Sequence, residues 1–143
     1  MTPLGSPRRE FPARVLRLHA SPRELYAARA YASEAATEFG FDERTRVEFV
    51  FAANEAVTNA IVHGTPDSGG FILLRITGED DQLTLTVFDS GRFIRGATRP
   101  DPAAEHGRGH MLIARLMDEF EIQTDSHGTA VRLGKRRRQP AGD

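Results

Sequence analysis

FILLRITGEDDQLTLTVFDSG, residues 71–91, consists of two strand-length runs around a turn-like centre. Phe71 to Thr77 and Leu83 to Asp89 are rich in apolar, β-branched and aromatic residues, and Gly-Glu-Asp-Asp at 78–81 interrupts them. That pattern predicts an antiparallel hairpin. Within the second run, successive side chains point to opposite faces, so Leu83, Leu85, Val87 and Asp89 share one side and Thr84, Thr86 and Phe88 the other. Asp89 therefore continues an apolar stripe. An ionised carboxylate in that register needs hydrogen bonds, from a backbone turn or from a ligand donor. Asp-Ser-Gly is an ordinary turn sequence, and a carboxylate in an apolar slot also suits the exocyclic amine of adenine; on the residues alone both readings stand.

Upstream of the hairpin, Phe11 to His19 alternates poorly but is β-like, and Pro12 makes it an edge strand. Ser21 and Pro22 then predict a helix start, with Glu24 completing a capping box and Gly40 stopping the helix. A second helix is expected from Asp42 as N-cap to about His63, ended by Gly64 and Pro66. Downstream, residues 90–110 (SGRFIRGATRPDPAAEHGRGH) hold four glycines and two prolines, and a loop of that length in a compact domain usually has a function. A helix from about Arg108 to Met117 follows, then strands at Phe120 to Thr124 and Thr129 to Leu133 around an Asp-Ser-His-Gly turn. The order β, α, α, β, β, loop, α, β, β predicts an α/β two-layer sandwich, with helices on a mixed, mostly antiparallel sheet rather than a doubly wound one. Residues 1–10 and 135–143 read as polar tails on a domain at 11–134, the basic run Lys135 to Arg138 serving solubility.

The chain of 143 residues suits one domain. Its net charge of -1, from 19 basic and 20 acidic residues, sets up no global field toward nucleic acid or anionic membrane, and no direct nucleic-acid or membrane role is expected. Absence of cysteine excludes disulfides and thiolate chemistry and agrees with a reducing, cytoplasmic setting. No apolar stretch approaches the roughly 18 residues of a membrane span, and MTPLGSPRRE lacks the apolar core of a signal peptide. His19, His63, His106, His110 and His127 have no metal-like spacing.

At about 100° per residue, Val47, Val50, Val57 and Ile61 fall in one arc of the second helix, the expected core side. Glu48, Ala52, Glu55, Asn59 and His63 fall opposite. A solvated face is the plain explanation. Against it, Ala52 and Ala56 crowd Glu55, and the Lys and Arg that coat ordinary exposed helices are missing. A carboxylate that accepts a hydroxyl proton, beside an amide oxygen for a hard divalent cation, suits phosphoryl transfer. Gly107-Arg108-Gly109-His110 leads straight into a helix, whose amino end offers unpaired N–H groups and a positive dipole end to phosphate. Alone, G-x-G is as compatible with a hinge, and Gly69-Gly70 reads only as a turn.

Taken in order, EAVTNAIVHG, VFDSG, GRGHMLIARLMDEFEI and HGTAVRL resemble the N, G1 and G2 boxes and terminal strands of the GHKL ATPases over about residues 11–133. The likeness is greatest to the stand-alone anti-sigma-factor serine/threonine kinases of bacteria. That resemblance implies the Bergerat fold, with ATP and Mg²⁺ between helices and sheet under a lid at residues 92–110. It implies Glu55 as general base, Asn59 as magnesium ligand, Asp89 as adenine reader with Gly91 beside it, and Thr129 near the purine. Gly107 and Gly109 become the phosphate turn, with Arg108 and His110 inside it.

The family often has a second glycine where this chain has Phe93, and an arginine near Glu105-His106; Arg108 or Arg92 is the substitute cation here. The implied function is transfer of the ATP γ-phosphoryl group to a serine or threonine of a small anti-anti-sigma protein, in a homodimer that also binds a sigma factor. The alternatives are a non-catalytic ATP-dependent partner-binding module and a detached histidine-kinase catalytic domain.

Overall fold

The computed structural model describes residues 11–64, 70–89 and 107–138. In chain order the elements are β1 (Arg14–His19), α1 (Leu25–Phe39), α2 (Glu43–Asn59), β2 (Phe71–Glu79), β3 (Gln82–Asp89), α3 (Gly107–Leu116), β4 (Glu119–Asp125) and β5 (Gly128–Arg136). The strands form one sheet in the order β1-β2-β3-β5-β4, and every pairing described is antiparallel, in line with the mostly antiparallel sheet expected. Helices cover one face of it.

The core lies between that face and the helices. Leu18, Ile72, Leu74, Ile76, Leu83, Leu85, Val87 and Leu133 point inward from the strands, against Phe49, Val57 and Ile113 of the helices. Removing each large side chain from water contributes about 2 kcal/mol. The α1–α2 contact is made of alanine: Ala28, Ala32, Ala35 and Ala36 on one helix, and Ala52, Ala53 and Ala56 on the other, are all buried. Small side chains let the two helices approach closely.

The helix ends show where local chemistry sets boundaries. Asp42 Oδ1 accepts the Thr45 N–H at 2.8 Å as N-cap of α2, and Gly40 closes α1 in the left-handed region at φ 95, where a Cβ would be strained. The capping box expected at Ser21 does not form. Ser21 Oγ instead accepts from Arg23 N at 3.4 Å, and a 3₁₀ turn over Pro22–Glu24 precedes α1. Regular α2 ends at Asn59, and a π-type turn runs over Ala60–Gly64 in place of the α-helix anticipated to His63. Gly78, read from sequence as part of the turn, is in β2: a Cβ there would come within 2.8 Å of Phe11 and 2.9 Å of Phe39, so glycine is needed for the aromatic pair to close over the strand. The turn is at Asp80-Asp81, with Asp80 at φ 53.

The basic carboxyl-terminal run is not a free tail from residue 135. β5 continues through Lys135 and Arg136, pairing with Leu83 and Gln82. Arg137 stacks over Phe39 at 4.6 Å and donates to Phe39 O at 2.7 Å and Asp80 O at 3.0 Å. Three cations that looked merely solubilising thus complete the sheet and clasp the end of α1, because the alternating inward pattern of β5 extends past Leu133.

Candidate functional site

The polar stripe of α2 borders the core. Thr45, Phe49, Ala52, Ala53, Ala56, Val57 and Ala60 are buried, while Val47, expected inside, is half exposed. The buried arc is therefore rotated from the expected one, since the alanines face α1 and the sheet and the bulkier Val47 does not fit that close contact. Ala52 and Ala56 do not make room for a ligand; they are core. Glu55 and Asn59 remain half-buried at the border of that arc, one turn apart. Arg29 Nη1 of α1 donates to Asn54 Oδ1 of α2 at 3.0 Å, and within α2 Thr58 Oγ1 donates to Asn54 O at 2.7 Å.

Asp89 ends the inward stripe of β3 and is 7% exposed. In the sheet register it lies between Ile72 of β2 and Thr129 of β5. Thr129 is half-buried, with its hydroxyl 3.3 Å from that of Thr124. The β4–β5 turn beside it is held by Asp125 Oδ1 accepting His127 N–H at 2.7 Å and by Gly128 at φ 143. The end of α2 and its π-type turn pack against β3, and α3 packs against α2. Elements bearing the three separated motifs are thus neighbours. Gly107, Arg108, Gly109 and His110 form the first turn of α3, where backbone N–H groups lack intrahelical acceptors.

Comparison with known proteins decides the lineage. The sequence profile of the histidine kinase-like ATPase domain matches residues 18–135. The chain belongs to this family. Relatives include the anti-sigma F factor of Clostridium acetobutylicum, 32% identical over 95 residues that cover 59% of this chain and 66% of that protein. The anti-sigma F factor of a Geobacillus strain is 33% identical over 105 residues, covering 66% of this chain and 70% of that one. This chain therefore spans about two thirds of the length of the curated relatives it matches. Among solved structures, the RsbU and RsbW domains of a Mycobacterium tuberculosis protein superpose with a TM-score of 0.68 at 24% identity, over 91% of this chain and 34% of that one. The histidine kinase domain of a blue-light activated histidine kinase from Erythrobacter litoralis gives 0.55 at 22% identity, over 76% and 60%. Both likenesses concern the fold.

Within a histidine kinase-like ATPase domain, ATP is the expected ligand, and the chemistry of the donors is compatible with it. Among the described residues no group of three or more His, Cys, Asp or Glu could hold a metal ion. Mg²⁺ at a nucleotide needs no such cage, because phosphates and water supply most of its oxygens and one or two protein ligands suffice. A cavity of about 570 Å³ lies at this end of the sheet, reaching Asp89 and Thr129 and floored by Phe71, Leu73 and Phe88. No residue of α2 lines this outer hollow, which is separate from the convergence of α2, β3 and α3. Gly91, Arg92, Phe93, Glu105 and His106 fall outside the described residues. No helix among the described residues is long and apolar enough to cross a membrane.

Lys135 and Glu48, outside the three motifs, pair at the opposite end of the β3–β5 ladder from Asp89 and Thr129. Lys135 is 5% exposed, and its ammonium lies 3.0 Å from Glu48 Oε1. The signal was the one that singled out Asp89, an ionisable residue continuing an apolar stripe, here Val131, Leu133 and Lys135. Stopping the strand at Leu133 concealed it.

Proposed function

We propose that the protein binds ATP with Mg²⁺ and transfers the γ-phosphoryl group to a serine or threonine of a small anti-anti-sigma protein, binding a sigma factor in alternation with that substrate. The observation that carries this reading is Asp89 at the buried end of an apolar stripe, opposite Thr129, on a strand packed against the helix of Glu55 and Asn59. In an apolar slot a carboxylate accepts the adenine amine and repels the carbonyl that guanine carries at that position. Asn59 would offer its amide oxygen to magnesium, which supplies charge neutralisation across the phosphates. Glu55 would accept the proton of the attacking hydroxyl, and the first-turn amides of α3 from Gly107 to His110 would receive the anionic end, with Arg108 adding a cation. Relatives named anti-sigma F factor support the partner class.

The same reading includes a homodimer in the cytoplasm. The sheet face away from the helices exposes Phe71, Leu73 and Phe88, each more than a third accessible. By register, Arg17 and Arg75 lie on its β1–β2 side and Glu121 on its β4 side, so a second copy turned by a two-fold along the strands would bring opposite charges together over an apolar centre. Transfer of labelled phosphate from ATP to captured small proteins tests the kinase. Glu55→Ala is expected to abolish transfer while ATP still binds; transfer at the wild-type rate by that variant refutes the base assignment. ATP remaining intact beside every candidate antagonist would instead favour the non-catalytic binding module, a reading consistent with Phe93 and Glu105-His106 replacing the family's glycine and arginine.

A further inference from the structure

Three elements meet at one ammonium group. Lys135 of β5 points to the helix side of the sheet, continuing the row of Val131 and Leu133, and is almost wholly enclosed. A cation so placed is costly unless its hydrogens are used. Its Nζ donates to the carbonyl oxygen of Leu116, the last residue of α3, where the negative end of the helix dipole also favours a cation. The same Nζ lies 3.0 Å from Oε1 of Glu48 on α2, an ion pair set off the line of a hydrogen bond. Glu48 is itself largely enclosed, with 18% of its side chain accessible.

Both contacts bear on the proposed nucleotide site. Glu48 precedes Glu55 by about two helical turns and Asn59 by about three, so the three side chains lie on one stripe of α2. α3 is ten residues long, about 15 Å, with its carboxyl end at Lys135 and the glycine turn at its other end. Downstream, Asp118 N donates to Gly134 O at 2.8 Å and Arg136 N to Asp118 Oδ2 at 2.7 Å. Those bonds tie the end of α3 to β5; Lys135 adds the tie to α2. A helix held at that end cannot slide along α2 without breaking the ammonium contacts, and any slide would carry the glycine turn away from Glu55 and Asn59.

We propose that Lys135 is a positioning residue of the nucleotide site, clamping α3 against α2 so that the glycine turn stands at a fixed distance from the Glu55–Asn59 stripe. The inference rests on the nucleotide reading above for its functional consequence, and on the clamp alone for its structural one. Lys135→Met and the double variant Lys135→Met/Glu48→Met separate the two. Lys135→Met leaves the largely enclosed Glu48 with only the exposed Arg44, 3.7 Å away, as a cationic partner, whereas replacing both residues with methionine restores an apolar fit and brings stability back toward wild type.

Two measurements apply to wild type and both variants: amide hydrogen exchange across residues 107–117, and calorimetric binding of ATP with magnesium. The clamp is supported if α3 amides exchange at least tenfold faster in the double variant while α1 amides are unchanged, and if ATP binds about tenfold more weakly. Wild-type α3 exchange and ATP affinity in the double variant would overturn the proposal. Should Lys135→Met alone not fold, the double variant carries the test. Should wild type bind no ATP, the functional reading fails, while the exchange measurement still decides the clamp.

Discussion

Asp89 stands directly across the β3–β5 ladder from Thr129, at the buried end of the Leu83, Leu85 and Val87 stripe. The pairing puts a carboxylate and a hydroxyl at one sheet end, next to the strand-facing end of α2. If a purine lies there, the hydroxyl is its second polar contact. Thr129→Val keeps the branched shape and removes the oxygen, so ATP affinity should fall about five- to tenfold, the equivalent of about 1 kcal/mol for one lost hydrogen bond, with the melting temperature little changed. Calorimetry and a thermal melt on the same sample check both halves.

The cap of α2 carries a pH dependence. The nearby Thr45 side chain and the hydrogen bond from its backbone N–H hold the Asp42 carboxyl below its usual range. A carboxyl depressed in the folded state stabilises it above the unfolded-state value, and loses that contribution as pH falls through the folded one. Asp42→Ala should lower the melting temperature at pH 7, and its difference from wild type should shrink in acid below the ordinary aspartate range. Asp42→Asn, which still accepts from Thr45 N–H, should stay near wild type at pH 7. Thermal melts from pH 2 to pH 7 measure this.

Arg137 gives a prediction contrary to a dispensable tail. Arg137→Ala removes two donations to carbonyl oxygens and the stacking over Phe39. Destabilisation of about 1–2 kcal/mol in chemical denaturation is expected, against near-neutrality for a solvated tail residue.

The outer sheet face provides the test of assembly. Leu73→Asp puts a carboxylate in the middle of the apolar patch formed with Phe71 and Phe88. Light scattering should report a monomer for this variant and a dimer for wild type, with both folded by circular dichroism. A wild-type monomer would remove that face as the interface.

Legibility from sequence followed the strength of local rules. The hairpin at 71–89, Asp42 as cap, Gly40 as stop and the inward register of Asp89 were all readable, because each depends on two-residue alternation or on a single backbone conformation. The rotation of α2 was not. Valine is more apolar than alanine, so the periodicity favoured Val47 as core; the close approach of α1 rewards small residues instead and buries Ala52. The end of β5 was misread for a related reason, since Lys135 looks solvated until Glu48 and the Leu116 carbonyl are placed around it. Charge pairing between residues nearly ninety positions apart leaves no periodic trace in the chain. The neighbourhood of the candidate site was legible as a set of three motifs in order. What brought them together, the packing of α2 on β3 and of α3 on α2, required the fold.

The most direct test of the nucleotide site is calorimetric titration of wild type and Asp89→Asn with ATP and with GTP, magnesium present. Wild type should bind ATP well ahead of GTP, and the asparagine should weaken ATP binding by about 10- to 100-fold, as expected for losing a charge-assisted bond to the base amine, with no drop in melting temperature to match. Equal ATP affinity in the two proteins, or no ATP heat from wild type, would contradict an adenine-reading carboxylate at Asp89.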